Sequence, residues 1–181
     1  MAVPAVRKLA NDPRLLAISR EYLGSETHPF RATLFDKSPD ANWLVAWHQD
    51  TALPLDARVA APGWGPWSEK QGIQYAHAPA AALERVVALR VHLDDSTEAN
   101  GPLRVIPGSH QEGVLTDAEV SERAARESSA TCVVECGGVV AMRPLIIHAS
   151  SKVTEPLPRR VLHIEYAESL ELGDGIRLRA A

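Results

Sequence analysis

The sequence predicts a mainly β protein with flanking helices, built around a double-sheet jelly roll. Short apolar segments recur along the chain and are separated by turns that contain Pro and Gly, which is the pattern of a many-stranded β protein. A chain of 181 residues also fits a single domain with a sizeable core. The predicted strands are 30–35, 43–47, 86–93, 103–106, 132–135, 139–142, 145–148 and 161–166.

Two helices are predicted beside these strands. Asp12 followed by Pro13 is a favourable helix start, because Asp accepts hydrogen bonds from the first free backbone amides and Pro fits the first turn. Gly24 is a suitable end for this helix. Thr116 and Glu119 have the spacing of a capping box, which predicts a second helix directly after them. We expect the first helix to pack on the outside of a sheet.

Composition and charge exclude several classes of partner. The formal net charge of −4 gives no basic stripe, so we expect no nucleic-acid partner. No apolar run approaches the length of a membrane span. The first residues lack the long apolar region of a signal peptide, so we expect a cytoplasmic protein. Cys132 and Cys136 lack zinc-ribbon spacing and are interpreted as reduced thiols.

One short motif has the residue types and spacing of a metal site. In His48-Gln49-Asp50 the first and third residues point to the same face of a strand, so both can bind one ion while Gln49 points away. His148 ends an apolar run at 139–147 and can supply a third ligand from a strand that is remote in sequence. Two imidazoles and one carboxylate leave a face of the metal open, which is typical of non-haem Fe(II) sites.

A pair of arginines opens the last predicted strand. Arg159 and Arg160 must point to opposite faces, so only one of them can enter the barrel, and the other should face outward or pair with an acid. A guanidinium beside the metal would suit the far carboxylate of a dicarboxylic acid. Ser150, two residues after His148, can donate a hydrogen bond to the same carboxylate.

These motifs give the chain a resemblance to the phytanoyl-CoA dioxygenase family of Fe(II)/2-oxoglutarate oxygenases. The family pattern is a metal-binding H-x-D, a distal His, a Ser two residues after that His and an Arg eleven residues after it. The resemblance spans about 31–166, with the motifs in the family's order and spacing. The matching stretches are Trp47-His48-Gln49-Asp50, Asn100-Gly101-Pro102-Leu103-Arg104-Val105-Ile106-Pro107-Gly108-Ser109-His110, His148-Ala149-Ser150 and the strand that begins at Arg159.

The resemblance implies a cupin-like, double-stranded β-helix core and a 2-oxoglutarate-dependent dioxygenase. It assigns His48, Asp50 and His148 to Fe(II), and Arg159 with Ser150 to 2-oxoglutarate. The implied reaction consumes O2, releases succinate and CO2, and hydroxylates an unactivated C–H bond, or achieves a desaturation or ring closure with the same oxidant. Ascorbate is expected as a supporting reductant.

Further candidates come from the first strand and from the turn after the second motif. By strand alternation Arg31, Thr33 and Phe35 share a face, and either Thr33 or Lys37 is expected to assist 2-oxoglutarate. His110 is a candidate substrate contact, although we interpret the turns around it as mainly structural.

The segment 54–79 follows the H-x-D strand and is predicted to be a long loop near the iron. Trp64, Trp67, Tyr75 and His77 are candidate substrate contacts within it. The alternative, that the two tryptophans only anchor the loop to the barrel wall, remains equally open.

We expect 1–181 to form one oxygenase domain, with an N-terminal helical segment at 1–28 and a jelly-roll core at 29–168. The brief region before the first strand disfavours a CoA thioester and favours a small-molecule substrate. Two alternatives remain: another jelly-roll metalloenzyme of the cupin type, and a non-catalytic metal- or ligand-binding member of the fold. The sequence leaves the oligomeric state open.

Overall fold

The computed structural model describes residues 3–38, 41–155 and 157–180. No helix within these ranges has the length and apolar character needed to cross a membrane. The α-helices are α1 (Pro4–Ala10), α2 (Pro13–Leu23), α3 (Ala80–Leu83) and α4 (Asp117–Arg126). The strands are β1 (His28–Lys37), β2 (Val45–His48), β3 (Ala52–Leu55), β4 (Trp67–Lys70), β5 (Ile73–His77), β6 (Val86–His92), β7 (Leu103–Val105), β8 (Ala130–Thr131), β9 (Val139–Met142), β10 (His148–Ser150), β11 (Arg159–Ala167), β12 (Glu171–Gly173) and β13 (Ile176–Arg177).

Two four-stranded antiparallel sheets form the core of the molecule. Their strand orders are β1-β11-β6-β9 in the first sheet and β2-β10-β7-β8 in the second. Lys37, at the end of β1, donates to Ser150 of β10 over 2.9 Å, so side chains of the two sheets meet between them. The predicted mainly β fold with a double-sheet jelly roll is confirmed.

The first sheet has one apolar face and one polar face, because side chains alternate along each strand. The apolar face is covered by α1 and α2, and its buried members include Leu89, Ile164 and Tyr166. The Tyr166 hydroxyl donates to the Ala10 carbonyl over 2.9 Å and ties the helices to the sheet. The polar face carries these side chains toward the second sheet: Arg31, Thr33, Phe35, Lys37, Arg90, Arg159, His163 and Glu165.

Both helix starts have the predicted capping. The Asp12 side chain accepts a hydrogen bond from the Arg14 amide, and Gly24 follows the last residue of α2. Thr116 and Glu119 form a reciprocal capping box at the start of α4. These helices therefore begin where short-range hydrogen bonding alone places them.

The prediction of a strand at 145–148 was wrong. The chain turns here, and β10 begins only at His148. Leu145 and Ile147 are buried in two different hydrophobic clusters, and the Ile147 amide donates to the Ser109 hydroxyl over 2.8 Å. A buried turn has the same apolar composition as a buried strand, so hydrophobicity does not distinguish the two.

The strand predicted at 132–135 is also absent from the described structure. Pairing in this region is confined to β8 and to an isolated bridge between Ser96 and Val134. The Cys132 amide donates to the Leu103 carbonyl over 2.8 Å and its side chain packs against a buried cluster that contains Leu103, whereas Val133 is 59 % exposed.

The segment 54–79 is more ordered than a loop, and the prediction of its secondary structure was wrong. Strands β3, β5 and β4 form a three-stranded antiparallel sheet. The β4–β5 hairpin turns at Gln71 and Gly72, where both φ angles are positive (53° and 74°). Two successive residues of this kind suit a tight hairpin, and glycine takes such angles without strain.

Candidate metal centre

The three predicted metal ligands lie together at one end of the second sheet. His48 ends β2, His148 begins β10, and the two residues are cross-strand partners. The Asp50 amide donates to the Pro144 carbonyl over 2.9 Å, which holds the H-x-D segment beside the turn before β10. One ligand atom from each of the three side chains lies within 4.8 Å of the others. His48 Nε2 and His148 Nε2 are 3.6 Å and 3.5 Å from the two Asp50 carboxylate oxygens.

Both imidazoles are oriented by the backbone two residues earlier. His48 Nδ1 is 2.8 Å from the Ala46 carbonyl oxygen, and His148 Nδ1 is 2.9 Å from the Ile146 carbonyl oxygen. A carbonyl only accepts, so each Nδ1 carries the proton and each Nε2 has a free lone pair. Both lone pairs belong to nitrogens that face Asp50, which is the tautomer a metal site requires.

The charges in the centre suit a divalent cation. Burial opposes ionisation of Asp50, but the hydrogen bond to His48 and the nearby His148 hold the pKa of the carboxyl below its usual range. Burial lowers the pKa of His148, which keeps that ring neutral. In the metal-free protein the Asp50 carboxylate beside His48 Nε2 favours the protonated ring, which raises the pKa of His48. An ionised carboxylate between two imidazoles is the donor set expected for non-haem Fe(II), so the residues present fit this metal.

A small cavity of about 90 Å³ extends from the three ligands to Ser150 and Arg159. Arg159 is 3 % exposed; its Nη2 donates to Ser150 Oγ over 3.3 Å and its Nε to the Asn100 carbonyl over 3.2 Å. Its Nη1 is buried and has no hydrogen-bond partner. A buried donor without an acceptor is costly, so this nitrogen is suited to an incoming anion.

Lys37 brings a second cation to the same hydroxyl. It is fully buried, and its Nζ donates to Ser150 Oγ over 2.9 Å and to the Ser151 carbonyl over 2.5 Å. Burial, followed by the nearby charge of Arg159, lowers the pKa of Lys37 from 10.5 to about 8. Two positive groups that converge on one serine need an anion between them to offset their repulsion.

Gly101 makes this convergence possible. A Cβ atom at this position would lie 2.5 Å from the Ser151 carbonyl oxygen and 3.2 Å from Lys37 Cδ, and the φ angle is +67°. The Asn100-Gly101 pair of the second motif therefore has a structural role at the cavity wall: one backbone carbonyl accepts from Arg159 and the next residue leaves room for Lys37.

A third cation in this cavity was not anticipated from the sequence. Arg90 of β6 is 6 % exposed, and its Nη1 is 3.1 Å from His163 Nδ1. Its Nε is buried without a partner, and the Phe35 ring lies 5.2 Å from its guanidinium carbon. Burial, together with Arg159, lowers the pKa of Arg90 to about 10. The signal was present, since Arg90 is a lone charge within an otherwise apolar strand sequence.

The two adjacent arginines separate as strand alternation predicts. Arg159 points into the barrel, whereas Arg160 forms two hydrogen bonds with the Asp94 carboxylate, at 2.7 Å and 2.8 Å, on the outside. This ion pair raises the pKa of Arg160 and lowers that of Asp94.

The weaker candidates fall into three groups. Thr33 and His77 line a second, wider cavity of about 260 Å³ that also includes Asp50. Trp64 and Trp67 pack against a hydrophobic cluster and do not line either cavity, which agrees with an anchoring role. His110 lines a separate depression with Arg143 and is not brought to the metal ligands.

Several lining residues of the wider cavity were not singled out from the sequence as site residues. They come from β1, β4 and β11, and β4 lies in the segment interpreted as a loop. These residues are Arg31, Lys70, His163 and Glu165. Tyr75, which was predicted together with His77, lines the same cavity.

Comparison with known proteins places the chain in a family. The chain is 28 % identical to L-proline trans-4-hydroxylase of Streptomyces griseoviridis over 88 % of this chain and 61 % of that protein. It is 28 % identical to ectoine dioxygenase of Halomonas elongata over 77 % of this chain and 36 % of that protein. The chain thus spans less than two thirds of the length of these curated relatives.

Solved structures agree with the fold. EctD from S. alaskensis, crystallised with 2-oxoglutarate and 5-hydroxyectoine, has a TM-score of 0.66 and 23 % identity, over 92 % of this chain and 53 % of that one. AviO1 from Streptomyces viridochromogenes has a TM-score of 0.64 and 26 % identity, over 97 % of this chain and 63 % of that one. The family model described as phytanoyl-CoA dioxygenase (PhyH) matches residues 3–161. The chain therefore belongs to the phytanoyl-CoA dioxygenase family.

Proposed function

We propose that this protein is a non-haem Fe(II)- and 2-oxoglutarate-dependent oxygenase that hydroxylates a C–H bond of a small molecule. The observation that carries the proposal is the juxtaposition of His48, Asp50 and His148 with a buried cationic cavity. When bound, iron and 2-oxoglutarate together supply the oxidation of a C–H bond by O2, with release of succinate and CO2. Ascorbate is the reductant we would include in the assay.

In this proposal each side chain at the centre has a defined task. His48 and His148 bind the metal through Nε2, and their Nδ1 hydrogen bonds to backbone carbonyls prevent the rings from turning. Asp50 supplies the negative charge that offsets part of the metal's charge. Gln49 points away, and its amide bridges the Gly113 and Leu145 carbonyls, so it braces the motif from behind.

The cations beyond the metal are proposed to hold 2-oxoglutarate, a dicarboxylate. Arg159 and Lys37, with Ser150 between them, would bind its far carboxylate, which removes the unpaired donor of Arg159 and the repulsion between the two cations. Arg90 lines the same cavity and adds attraction for the second negative charge. Because these groups are buried, each contact with an anion is stronger than it would be in water.

A small molecule is proposed as the substrate because of the size of the adjoining cavity. Its volume of about 260 Å³ lies below the usual range of pockets for drug-sized ligands. The curated relatives are named for proline and ectoine, which are compounds of this size class. We further propose that 1–181 acts as one oxygenase domain with its core at 29–168. The packing of Ile176 and Leu178 into the cluster around Phe30 supports the inclusion of the residues after 168 in the same domain.

The decisive experiment is anaerobic titration with Fe(II), with and without 2-oxoglutarate. A visible metal-to-ligand charge-transfer band should form only when both are present, and succinate should accumulate once O2 and ascorbate are added. His148→Ala should abolish both signals. His28→Ala is the matched control, because His28 is an exposed residue at the far end of β1.

Absence of the band from folded wild-type protein would overturn the proposal. If the band forms but no succinate accumulates, the protein binds iron and 2-oxoglutarate, and their turnover without a further substrate is rejected. Equal signals in His148→Ala and the wild type would reject the assigned ligand set.

A further inference from the structure

The cavity of about 260 Å³ beside the metal centre has a charge pattern that the iron and 2-oxoglutarate do not use. It shares Asp50 and Phe35 with the cosubstrate cavity, so a molecule within it lies next to the proposed iron. The remaining walls come from the first sheet and from the three-stranded sheet β3-β5-β4.

Two cations in this cavity share one aromatic ring. The Arg31 guanidinium carbon and Lys70 Nζ each lie 5.6 Å from the centroid of the Tyr75 ring. Within the part of the chain that the structure describes, no acidic side chain forms an ion pair with Lys70. A ring face attracts a cation only weakly compared with a carboxylate, so both groups retain capacity for an anion.

An acidic group lies beside Arg31 on the same sheet. Glu165 is 6 % exposed and is the cross-strand partner of Arg31. The contact from Arg31 Nε to Glu165 Oε2 is 3.2 Å, but it lacks hydrogen-bond geometry, and Oε2 is buried without a donor among the described residues. A buried carboxylate oxygen in this state is destabilising until a donor reaches it.

We propose that the substrate is a small zwitterion whose carboxylate binds between Arg31 and Lys70 and whose ammonium group donates to Glu165. The inference rests on the proposed oxygenase function and adds the chemical class of its substrate. Positive and negative side chains that line one cavity bind complementary charges on one skeleton and reject compounds that lack either group. The skeleton between the two groups would then present its C–H bonds toward the side of the cavity formed by Asp50.

The test is equilibrium binding to the protein already loaded with Fe(II) and 2-oxoglutarate under anaerobic conditions. The probes are the proteinogenic amino acids, L-proline included, each with its carboxamide and its N-acetyl derivative. Their binding is measured by ligand-observed NMR and by calorimetry. We expect at least one free amino acid to bind, and its two derivatives to bind at least tenfold more weakly. Equal binding of a derivative, or no binding by any member of the panel, would overturn the proposal.

Variants assign the two charges to residues. Lys70→Gln alters an exposed side chain, so the fold should persist while the preference for the free carboxylate over the carboxamide falls severalfold. Glu165→Gln keeps the shape and should reduce the preference for the free amine over the N-acetyl compound by at least tenfold. The double variant Arg31→Gln/Glu165→Gln removes both charges of the Arg31–Glu165 contact, so neither is left without the other, and it should lose both preferences.

Arg58→Gln is the matched control. Arg58 is exposed and also lies over an aromatic ring, that of Trp67 at 5.7 Å, but it does not line the cavity. Its substitution should change none of the affinities; an equal loss in Arg58→Gln would reject the assignment to Arg31 and Lys70.

The two proposals fail in different ways. If Fe(II) and 2-oxoglutarate do not bind, the oxygenase function is rejected and the inference about its substrate falls with it. If both bind in the wild type and in Lys70→Gln, but the amino acids do not bind the wild type, only the substrate class is rejected.

Discussion

Lys37 and Arg159 are cross-strand partners at the end of the first sheet, and both of their buried cationic groups reach the single hydroxyl of Ser150. Among the described residues of this cavity, the acidic side chain is Asp50, the proposed metal ligand. The protein thus holds like charges together before any anion arrives, and the energy lost in doing so can be recovered when 2-oxoglutarate binds.

Arg159→Ala should weaken 2-oxoglutarate binding much more than iron binding. Truncation of one partner of a buried, hydrogen-bonded charge pair costs about 2–5 kcal/mol, so we expect a loss of affinity of roughly 30-fold or more. Calorimetry with Mn(II) as a redox-stable metal measures the two affinities separately. Arg160→Ala is the control, since Arg160 is the neighbour of Arg159 in sequence but pairs with Asp94 outside the barrel. An unchanged 2-oxoglutarate affinity in Arg159→Ala would contradict the assigned role.

The affinity for 2-oxoglutarate should fall as the pH rises through about 8. The pKa of Lys37 in the folded protein is about 8, because of burial and then Arg159, so its charge is lost from the free protein above that pH. Lys37→Met should bind 2-oxoglutarate more weakly, with a flat profile between pH 7 and 9. A wild-type profile that is equally flat would show that Lys37 does not carry the dependence.

The same residue should make the ligand-free protein more stable in mild alkali. The pKa of Lys37 is lower in the folded state than its ordinary value of 10.5, so the unfolded chain binds more protons between about pH 8 and 10.5. The free energy of unfolding therefore rises with pH across this window, as far as Lys37 is concerned. Urea titrations at several pH values give the free energy of unfolding, which should rise more steeply with pH in the wild type than in Lys37→Met. An equal dependence on pH in the two proteins would contradict this account.

Gly101→Ala should destabilise the protein by more than its backbone strain alone. The new methyl would meet the Ser151 carbonyl at 2.5 Å, whereas a methyl at Gly72 meets nothing within 4 Å, and both glycines have positive φ (67° and 74°). Gly72→Ala therefore measures the strain without the clash. We expect about 1–3 kcal/mol of additional loss in Gly101→Ala from overpacking, measured by urea unfolding. Equal losses would place no close contact at Gly101.

Arg90→Met should separate stability from binding. Among the described residues Arg90 has no carboxylate partner, so replacement of this buried cation by an apolar side chain of similar length should leave the free energy of unfolding unchanged or raise it. The affinity for 2-oxoglutarate should fall by about tenfold or more, since a charge-assisted contact contributes about 1.5–3 kcal/mol. Arg160→Met serves as the exposed control. A loss of stability with unchanged 2-oxoglutarate affinity would make Arg90 a structural residue only.

The sequence was sufficient for the parts of the molecule that depend on short-range rules. The cap of α2 at Asp12, the capping box at Thr116 and the opposite directions of Arg159 and Arg160 each follow from a few neighbouring residues. The contact of the H-x-D motif with His148 is long-range, and it was anticipated from the ligand set of non-haem Fe(II) sites and from the family pattern that joins the two.

The rest depended on pairing between distant segments. In the sequence, Arg90 is a charged residue within an apolar strand. Its partner, His163, lies on β11, which is remote in sequence. Tyr75 and Lys70 became wall residues because the segment 54–79, rich in Pro and Gly, pairs with itself as a hairpin. Local composition favours a loop there, and the sheet that overrides it also needs β3, whose Leu55 pairs with Gln74 of β5 across the intervening chain.

Neighbouring residues of β11 have different roles because they lie on opposite faces of the strand. One face packs against the helices and carries Leu162, Ile164 and Tyr166; the other lines the two cavities and carries Arg159, His163 and Glu165. Substitutions at every second position of β11 can therefore change which ligands the protein binds, while the intervening positions continue to stabilise the fold. Altered selectivity need not weaken the scaffold, and a library randomised only at inward-facing positions would explore new substrates at little risk to folding.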